Sequence, residues 1–170
     1  MKTIISDRFL NILKNKKQLE EKLNVKVNCK GKEITIEGSP EKEYIAEKVI
    51  DAINFGFSVQ AALTIMEDHT FEILNIKDFT TKKDLEKVRG RIIGKQGKSF
   101  GTLNQLTKCE FKIKDNKVGI IGDYENIENA IEAIKSISMG TKHSHVYAML
   151  EKNRIKPIFD FGLKEEVKKK

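Results

Sequence analysis

The sequence predicts an α+β protein of two tandem units, each a three-stranded sheet packed by helices, with the first a degenerate copy of the second. Three observations lead there. The chain matches itself at an offset of 84 residues: between residues 38–56 and 122–140, six of 19 ungapped positions are identical. These are Gly38/Gly122, Glu41/Glu125, Ala46/Ala130, Ile50/Ile134, Ile53/Ile137 and Gly56/Gly140. Upstream, Val25, Val27, Ile34 and Ile36 fall on Cys109, Phe111, Val118 and Ile120, so the pattern of the segments before the match repeats as well. Finally, each unit joins short runs of period two to one long run of period 3.6, the marks of strands followed by a helix.

In the first unit, Val25 and Val27, then Ile34 and Ile36, alternate apolar and polar around Lys30-Gly31, which predicts a hairpin. Ser39 as N-cap and Pro40 at the first helical position start a helix. Its apolar face is Ile45, Ala46, Val49, Ile50 and Ile53. Phe57 and Ser58 then open a bridging helix that carries Ala61, Ala62, Leu63, Ile65 and Met66. The second unit begins with a strand at residues 71–76. Thr81 and Asp84 resemble a capping box, ahead of a helix with Leu85, Val88, Ile92 and Ile93 on one face. A glycine loop, Gly94-Lys95-Gln96-Gly97, leads into a short helix through Leu103 and Leu106. Phe111 and Ile113, a turn at Asp115-Asn116, and Val118 and Ile120 give the second hairpin. Asp123 caps the matching helix, with Ile127, Ala130, Ile131, Ile134 and Ile137 on its face. Ser144 is expected to cap one more helix bearing Val146, Tyr147 and Leu150, ahead of a polar, basic tail. The expected division is 1–56 for the degenerate unit, 57–70 for the connecting helix, 71–140 for the complete unit and 141–170 for the last helix and tail.

Composition narrows the function. The 170 residues are 39% hydrophobic and 34% charged, with net charge +7, enough apolar material for a core. No apolar run approaches the roughly 20 residues that span a bilayer. The opening residues reach Asp7 too soon for a secretory leader, and Cys29 and Cys109 are too few for a disulfide framework. A reducing, cytoplasmic setting is expected. The charge is uneven: residues 1–70 are neutral, 71–140 carry +3 and 141–170 carry +4. That imbalance points to a polyanionic partner.

The strongest local signal is residues 87–98. Lys87, Arg89, Arg91, Lys95 and Lys98 supply five positive charges with no acid, and two of the chain's four arginines are here. Gly94 and Gly97 let the backbone turn tightly and approach a phosphate, and the helix that follows offers free N–H groups to an anion. A Gly-x-x-Gly loop between two short helices in this element order is the KH arrangement for clamping single-stranded RNA or DNA. Gly94 to Ser99 also ends like a Walker A loop. That motif needs a glycine where Ile92 stands and a strand ahead of it, so nucleotide hydrolysis is set aside. The first unit has Lys14-Asn15-Lys16-Lys17 in place of the glycine loop, four residues short, and the loss is expected in the helix that follows. His69, His143 and His145 lack the spacing of a metal site. No catalytic constellation stands out, and no cofactor is implied.

On these residues the chain resembles the archaeal two-KH relatives of the small-subunit assembly factor family called Partner of Nob, or Dim-two-type. The matching residues are Gly56-Phe57-Ser58 with Ala62-Leu63, then residues 90–98, Ile120 to Tyr124, and His143-Ser144 with Val146-Tyr147 and Leu150-Glu151. The resemblance implies type I KH units, no enzymatic activity, and binding of single-stranded small-subunit rRNA near its 3′ end. It implies the processing endonuclease, the rRNA dimethyltransferase and the alpha subunit of initiation factor two as partners. Carried over by position, Gly94, Lys95, Gln96 and Gly97 form the RNA loop, flanked by Arg91, Ile93 and Lys98; Arg89, in the same basic run, is a further RNA-binding candidate. Phe111 or Ile113 joins Ile93 in the groove floor, so an aliphatic groove is expected to read the bases more than stacking does. Ser99-Phe100-Gly101 stands where relatives have basic residues, which predicts fewer phosphate contacts.

Overall fold

The computed structural model describes residues 1–154; the basic tail expected at the C-terminus lies outside them. Strands β1 (Lys2–Ile5), β2 (Lys26–Lys30) and β3 (Glu33–Glu37) form one antiparallel sheet in the order β1-β3-β2. Strands β4 (His69–Asn75), β5 (Glu110–Lys114) and β6 (Lys117–Asp123) form a second in the order β4-β6-β5. The 84-residue repeat holds to the level of register. Val27 faces Ile36 and Cys29 faces Ile34 in the first sheet; Phe111 faces Ile120 and Ile113 faces Val118 in the second. The register follows from the pattern, because a slip of one residue would turn every apolar side chain to the other face. Gly31 (φ 59°) turns the first hairpin and Asp115 (φ 53°) the second, a conformation that short polar side chains tolerate.

Helices α1 (Phe9–Lys14), α2 (Lys16–Leu23) and α3 (Pro40–Phe55) cover the first sheet. Ile12, Leu19, Val27, Ile34, Ile36, Ala46, Val49, Ile50 and Ile53 share one core, all fully buried. Helices α5 (Leu85–Ile93), α6 (Lys98–Thr107), α7 (Tyr124–Met139) and α8 (His143–Lys152) cover the second. There Ile92, Leu103, Val118, Ile120, Ala130, Ile134 and Ile137 are fully buried. Between the units, α4 (Val59–Leu63) runs into a 3-10 turn at Thr64–Glu67. The bridging helix is therefore shorter than its apolar run: Thr64 and Ile65 are β-branched, and Asp68 turns left-handed (φ 63°) to start β4.

Several helix ends differ from the sequence pattern. Asp84 caps α5 alone, accepting from the Lys87 N–H at 3.2 Å, so no box with Thr81 forms. Ser39 sits at the N-cap of α3 but its hydroxyl makes no capping bond; instead the Glu43 carboxylate reaches back to the Gly38 N–H at 3.0 Å. Lys142, not Ser144, is the N-cap of α8. Asp123 caps α7 through the Asn126 N–H at 2.8 Å, and Ser58 caps α4 through Ala61, as their spacing requires. The shortening of the first unit falls mainly on the loop: Asn15 alone separates α1 from α2, while α2 keeps eight residues against ten in α6.

The first unit covers an apolar part of the outer face of the second sheet, around Phe71, Gly119 and Ile121. Phe55 stacks on Phe57 and both meet Phe71 edge-on, with ring centroids 5.7–6.1 Å apart, and Ile121 packs into the same cluster. Phe57 is 1% exposed, and burial of such a ring stabilises by about 1.5–3 kcal/mol. Gly119 is the contact point: a Cβ there would lie 2.6 Å from the Phe55 ring and 2.9 Å from the Phe57 ring. No helix among the described residues is long and apolar enough to cross a membrane.

Candidate nucleic-acid interface

Helix α5 ends because Gly94 takes φ 76° and ψ 170°, a region essentially reserved for glycine. A Cβ on Gly94 would lie 2.6 Å from the Ser99 Cβ and 2.7 Å from the Ser99 amide nitrogen. Gln96 (φ 55°) and Gly97 (φ 74°) are also left-handed. The Gly94–Gly97 loop is thus a tight turn folded back on the first turn of α6. Gly97 faces open space, with nothing near its missing Cβ, and Lys95, Gln96 and Lys98 are exposed. Gly97 is the N-cap of α6 and supplies no side chain, so the first N–H groups of the helix have no side-chain cap and favour an anion.

Ser99 was expected to mark a lost phosphate contact. Instead it is buried against Gly94, 4% exposed, with its Oγ accepting the Tyr147 hydroxyl at 3.3 Å. A side chain at this position points inward, so its charge is not what the loop presents. This also disposes of the Walker A likeness, because helix α5 precedes the loop and the Ser99 hydroxyl is occupied. Phe100 is half-buried and stacks on Phe111, with centroids 5.8 Å apart and planes at 24°. Sequence reasoning treated position 100 only as a missing base; an aromatic one turn before Leu103 was the available signal. Phe100 and Ile113 pack against the second core, and Ile93 is half-buried at the end of α5. Phe111 is 7% exposed, so it offers its strand edge and its support of Phe100. β5 is an edge strand, and an edge strand presents unpaired backbone groups.

The structure separates the two arginines. Arg89 donates to the Asp115 carbonyl at 3.1 Å, reaching the hairpin turn. Arg91 donates to the Thr141 carbonyl at 2.9 Å on the other side of α5. Two residues on a helix differ by about 200° of rotation, so the spacing alone was the signal. His143 is bound through Nε2 to the Arg91 carbonyl at 2.8 Å and ties α8 to α5. Cys109, fully buried, has its thiol pushed up to about 11 by burial and is no nucleophile at neutral pH.

The first unit shows why it is degenerate. Its counterpart of the groove edge, the Val27 N–H, is taken by the Glu20 carboxylate at 2.8 Å. Lys16, at the position matching Phe100, pairs with Glu20 at 3.8 Å. The Glu20 carboxylate thus occupies this strand edge, and no glycine loop stands beside it. Cys29, expected near the core, is half-buried against it.

With this geometry in hand, comparison with known proteins is specific. The family model for the second KH domain of PNO1, described as a eukaryotic type KH-domain (KH-domain type I), matches residues 70–155. A KH domain-containing protein of Methanocaldococcus jannaschii is 30% identical over 83% of this chain and 66% of its own length. The RNA-binding protein pno1 of Dictyostelium discoideum is 30% identical over 87% of this chain and 68% of its own. The first curated relatives it matches are longer: the chain spans 66% and 58% of their length. Among solved structures, Dim2p of Pyrococcus horikoshii is 27% identical at TM-score 0.80, over 89% of this chain and 98% of that one. A complex of a/eIF2alpha, aDim2p and rRNA from the same organism matches at TM-score 0.80 over 90% of this chain and 93% of the matched one. The chain belongs to the PNO1/Dim2-type family of type I KH proteins.

Proposed function

We propose that this chain is an RNA-binding factor of small-subunit assembly that holds single-stranded rRNA near its 3′ end during maturation. The observation that carries the reading is the open glycine loop. Gly94–Gly97 presents free backbone, exposed Lys95 and Lys98, and an uncapped helix N-terminus. Backbone amides and lysines hold the phosphates of about four nucleotides, as KH loops do. Bases lie over Ile93, Ile113 and Phe100, and the β5 edge supplies backbone groups to their rims. Arg89, fixed on the hairpin turn, borders the groove, and Gln96 at the loop tip meets the sugar-phosphate chain.

The complete unit at 71–140, with the last helix and tail at 141–170, reads RNA. Residues 1–56 serve as a protein-facing scaffold, joined by the segment 57–70. The solved relative that contains a/eIF2alpha and rRNA supports those two partners for this chain. The processing endonuclease and the rRNA dimethyltransferase complete the set, in a cytoplasmic setting and without catalysis by the chain itself. Burial of Ser99 weakens the alternative of a protein-interaction scaffold that has lost RNA affinity, which rests on the absence of basic residues at 99–101. Sequencing of RNA crosslinked to the tagged protein in its own cell tests the reading. Reads concentrated at the 3′ end of small-subunit rRNA support it; reads spread over mRNA or exosome substrates would replace it with a general KH role.

A further inference from the structure

On the side of α5 away from Arg89 lies an open cavity of about 800 Å³. It shares Gly94 and Lys95 with the phosphate loop and runs to His143 at the start of α8. Lys82, Lys83, Lys87 and Arg91 join Lys95 around it, against the single carboxylate of Asp84. Asp84 is already engaged, capping α5 and pairing with Lys87 at 3.7 Å. Lys82, Lys83, Arg91 and Lys95 have no carboxylate partner among the described residues. Arg91 is held on the Thr141 carbonyl, and Lys82 Nζ lies 3.4 Å from where a Gly140 Cβ would be. Both cations therefore converge at the turn between α7 and α8. The lining is not only charged. Val88 lies beneath it, 2% exposed, and exposed Gly90 leaves a space in which a Cβ would touch nothing within 4 Å. A glycine inside a helix costs stability, and neither a left-handed backbone nor a close neighbour requires one here.

We propose that this cavity is a second RNA subsite, which takes the nucleotides that continue from the strand held by the glycine loop. Their phosphates sit on Lys82, Lys83 and Arg91, and a sugar or base lies over the open backbone at Gly90. The inference rests on the proposed RNA-binding role of the loop, because continuity through Gly94 and Lys95 is what selects a nucleic-acid strand as the occupant. It makes the footprint longer than the four nucleotides of a KH groove, with α8 as one wall.

The test uses a tetranucleotide bound by the full chain and heptanucleotides that extend it on the 5′ or the 3′ side, all from the 3′ end of small-subunit rRNA. In the wild type, extension on one side tightens binding about tenfold and steepens the salt dependence by about 0.7 per added phosphate contact. In Lys82→Glu with Lys83→Glu, both gains vanish while tetranucleotide binding and the melting temperature stay unchanged. Gly90→Leu, which fills the floor, likewise loses the gain from extension. Heptanucleotides no tighter than the tetranucleotide, or equally tighter in the lysine variant, would overturn the subsite and leave the loop reading intact. Tetranucleotide binding that is absent, or indifferent to Lys95→Asp with Gln96→Asp, would overturn the loop reading and the subsite with it.

Discussion

Gly94 and Gly97 are equivalent in the motif, yet the structure predicts opposite consequences when each becomes alanine. Gly94 has φ 76° and ψ 170°, and its missing Cβ would sit 2.6 Å from a side-chain carbon and 2.7 Å from a backbone nitrogen of Ser99. The backbone region costs about 1–3 kcal/mol for a residue with a side chain. Crowding of a buried neighbour adds about 1–3 kcal/mol, and the Ser99 amide cannot swing away as a side chain could. Gly94→Ala should therefore lose about 2–6 kcal/mol, or roughly 4–24 °C in melting temperature for a chain of this size. Gly97 is left-handed at φ 74°, ψ 12° with open space around it. Its alanine costs about 1–2 kcal/mol for the left-handed backbone, offset by about 0.4–1 kcal/mol from a stiffer unfolded chain. Urea unfolding gives the stabilities, and fluorescence anisotropy with a labelled rRNA fragment gives the binding. Gly97→Ala should stay folded and still lose about tenfold in affinity, because its methyl stands where phosphate must approach. Equal destabilisation by the two substitutions, or full RNA affinity in Gly97→Ala, would refute the loop geometry on which the argument rests.

Other consequences can be measured on the same protein. Gly119→Ala should lower the urea midpoint by the equivalent of about 1–3 kcal/mol: its backbone is not left-handed, so the cost is the clash with Phe55 and Phe57. Asp123→Ala removes the cap of α7 and should cost about 0.5–2 kcal/mol in the same assay. The Cys109 thiol, ordinarily near 9, is raised to about 11 in the fold, so the native state holds a proton that the unfolded state releases. Stability should accordingly fall between about pH 9 and pH 11, by roughly 2–3 kcal/mol from this group. Cys109→Ala should flatten that part of the profile, and an unchanged slope would contradict the assignment.

Much of this was legible in the sequence because it is local or periodic. The repeat gave the two hairpins with their registers, the glycines marked the loop, and Asp123 and Ser58 stood where caps belong. What escaped depends on contacts far apart in the chain. Strand β1 has only four residues, and Lys2 breaks its apolar alternation by reaching inward to pair with Glu47 on α3. Ser99 reads as a polar surface residue until α8 brings Tyr147 onto it, 48 positions away. His143 reads as isolated until its ring meets the Arg91 carbonyl, 52 positions away. The Phe100–Phe111 stack needs the distance from α6 to β5, which no local pattern encodes. Arg89 and Arg91 were grouped by proximity in sequence, although helical rotation already assigned them to different sides.

The central claim is that the glycine loop of the second unit reads small-subunit rRNA. The measurement that tests it most directly compares wild type with Lys95→Asp, Gln96→Asp against an RNA matching the 3′ end of that rRNA and a scrambled control. Salt is held at about 150 mM, since affinity depends steeply on it. Both side chains are exposed, so the double variant should keep the wild-type melting temperature. The account predicts tight, sequence-dependent binding by the wild type and its loss in the variant. Weak binding that ignores both the RNA sequence and the substitutions would contradict it.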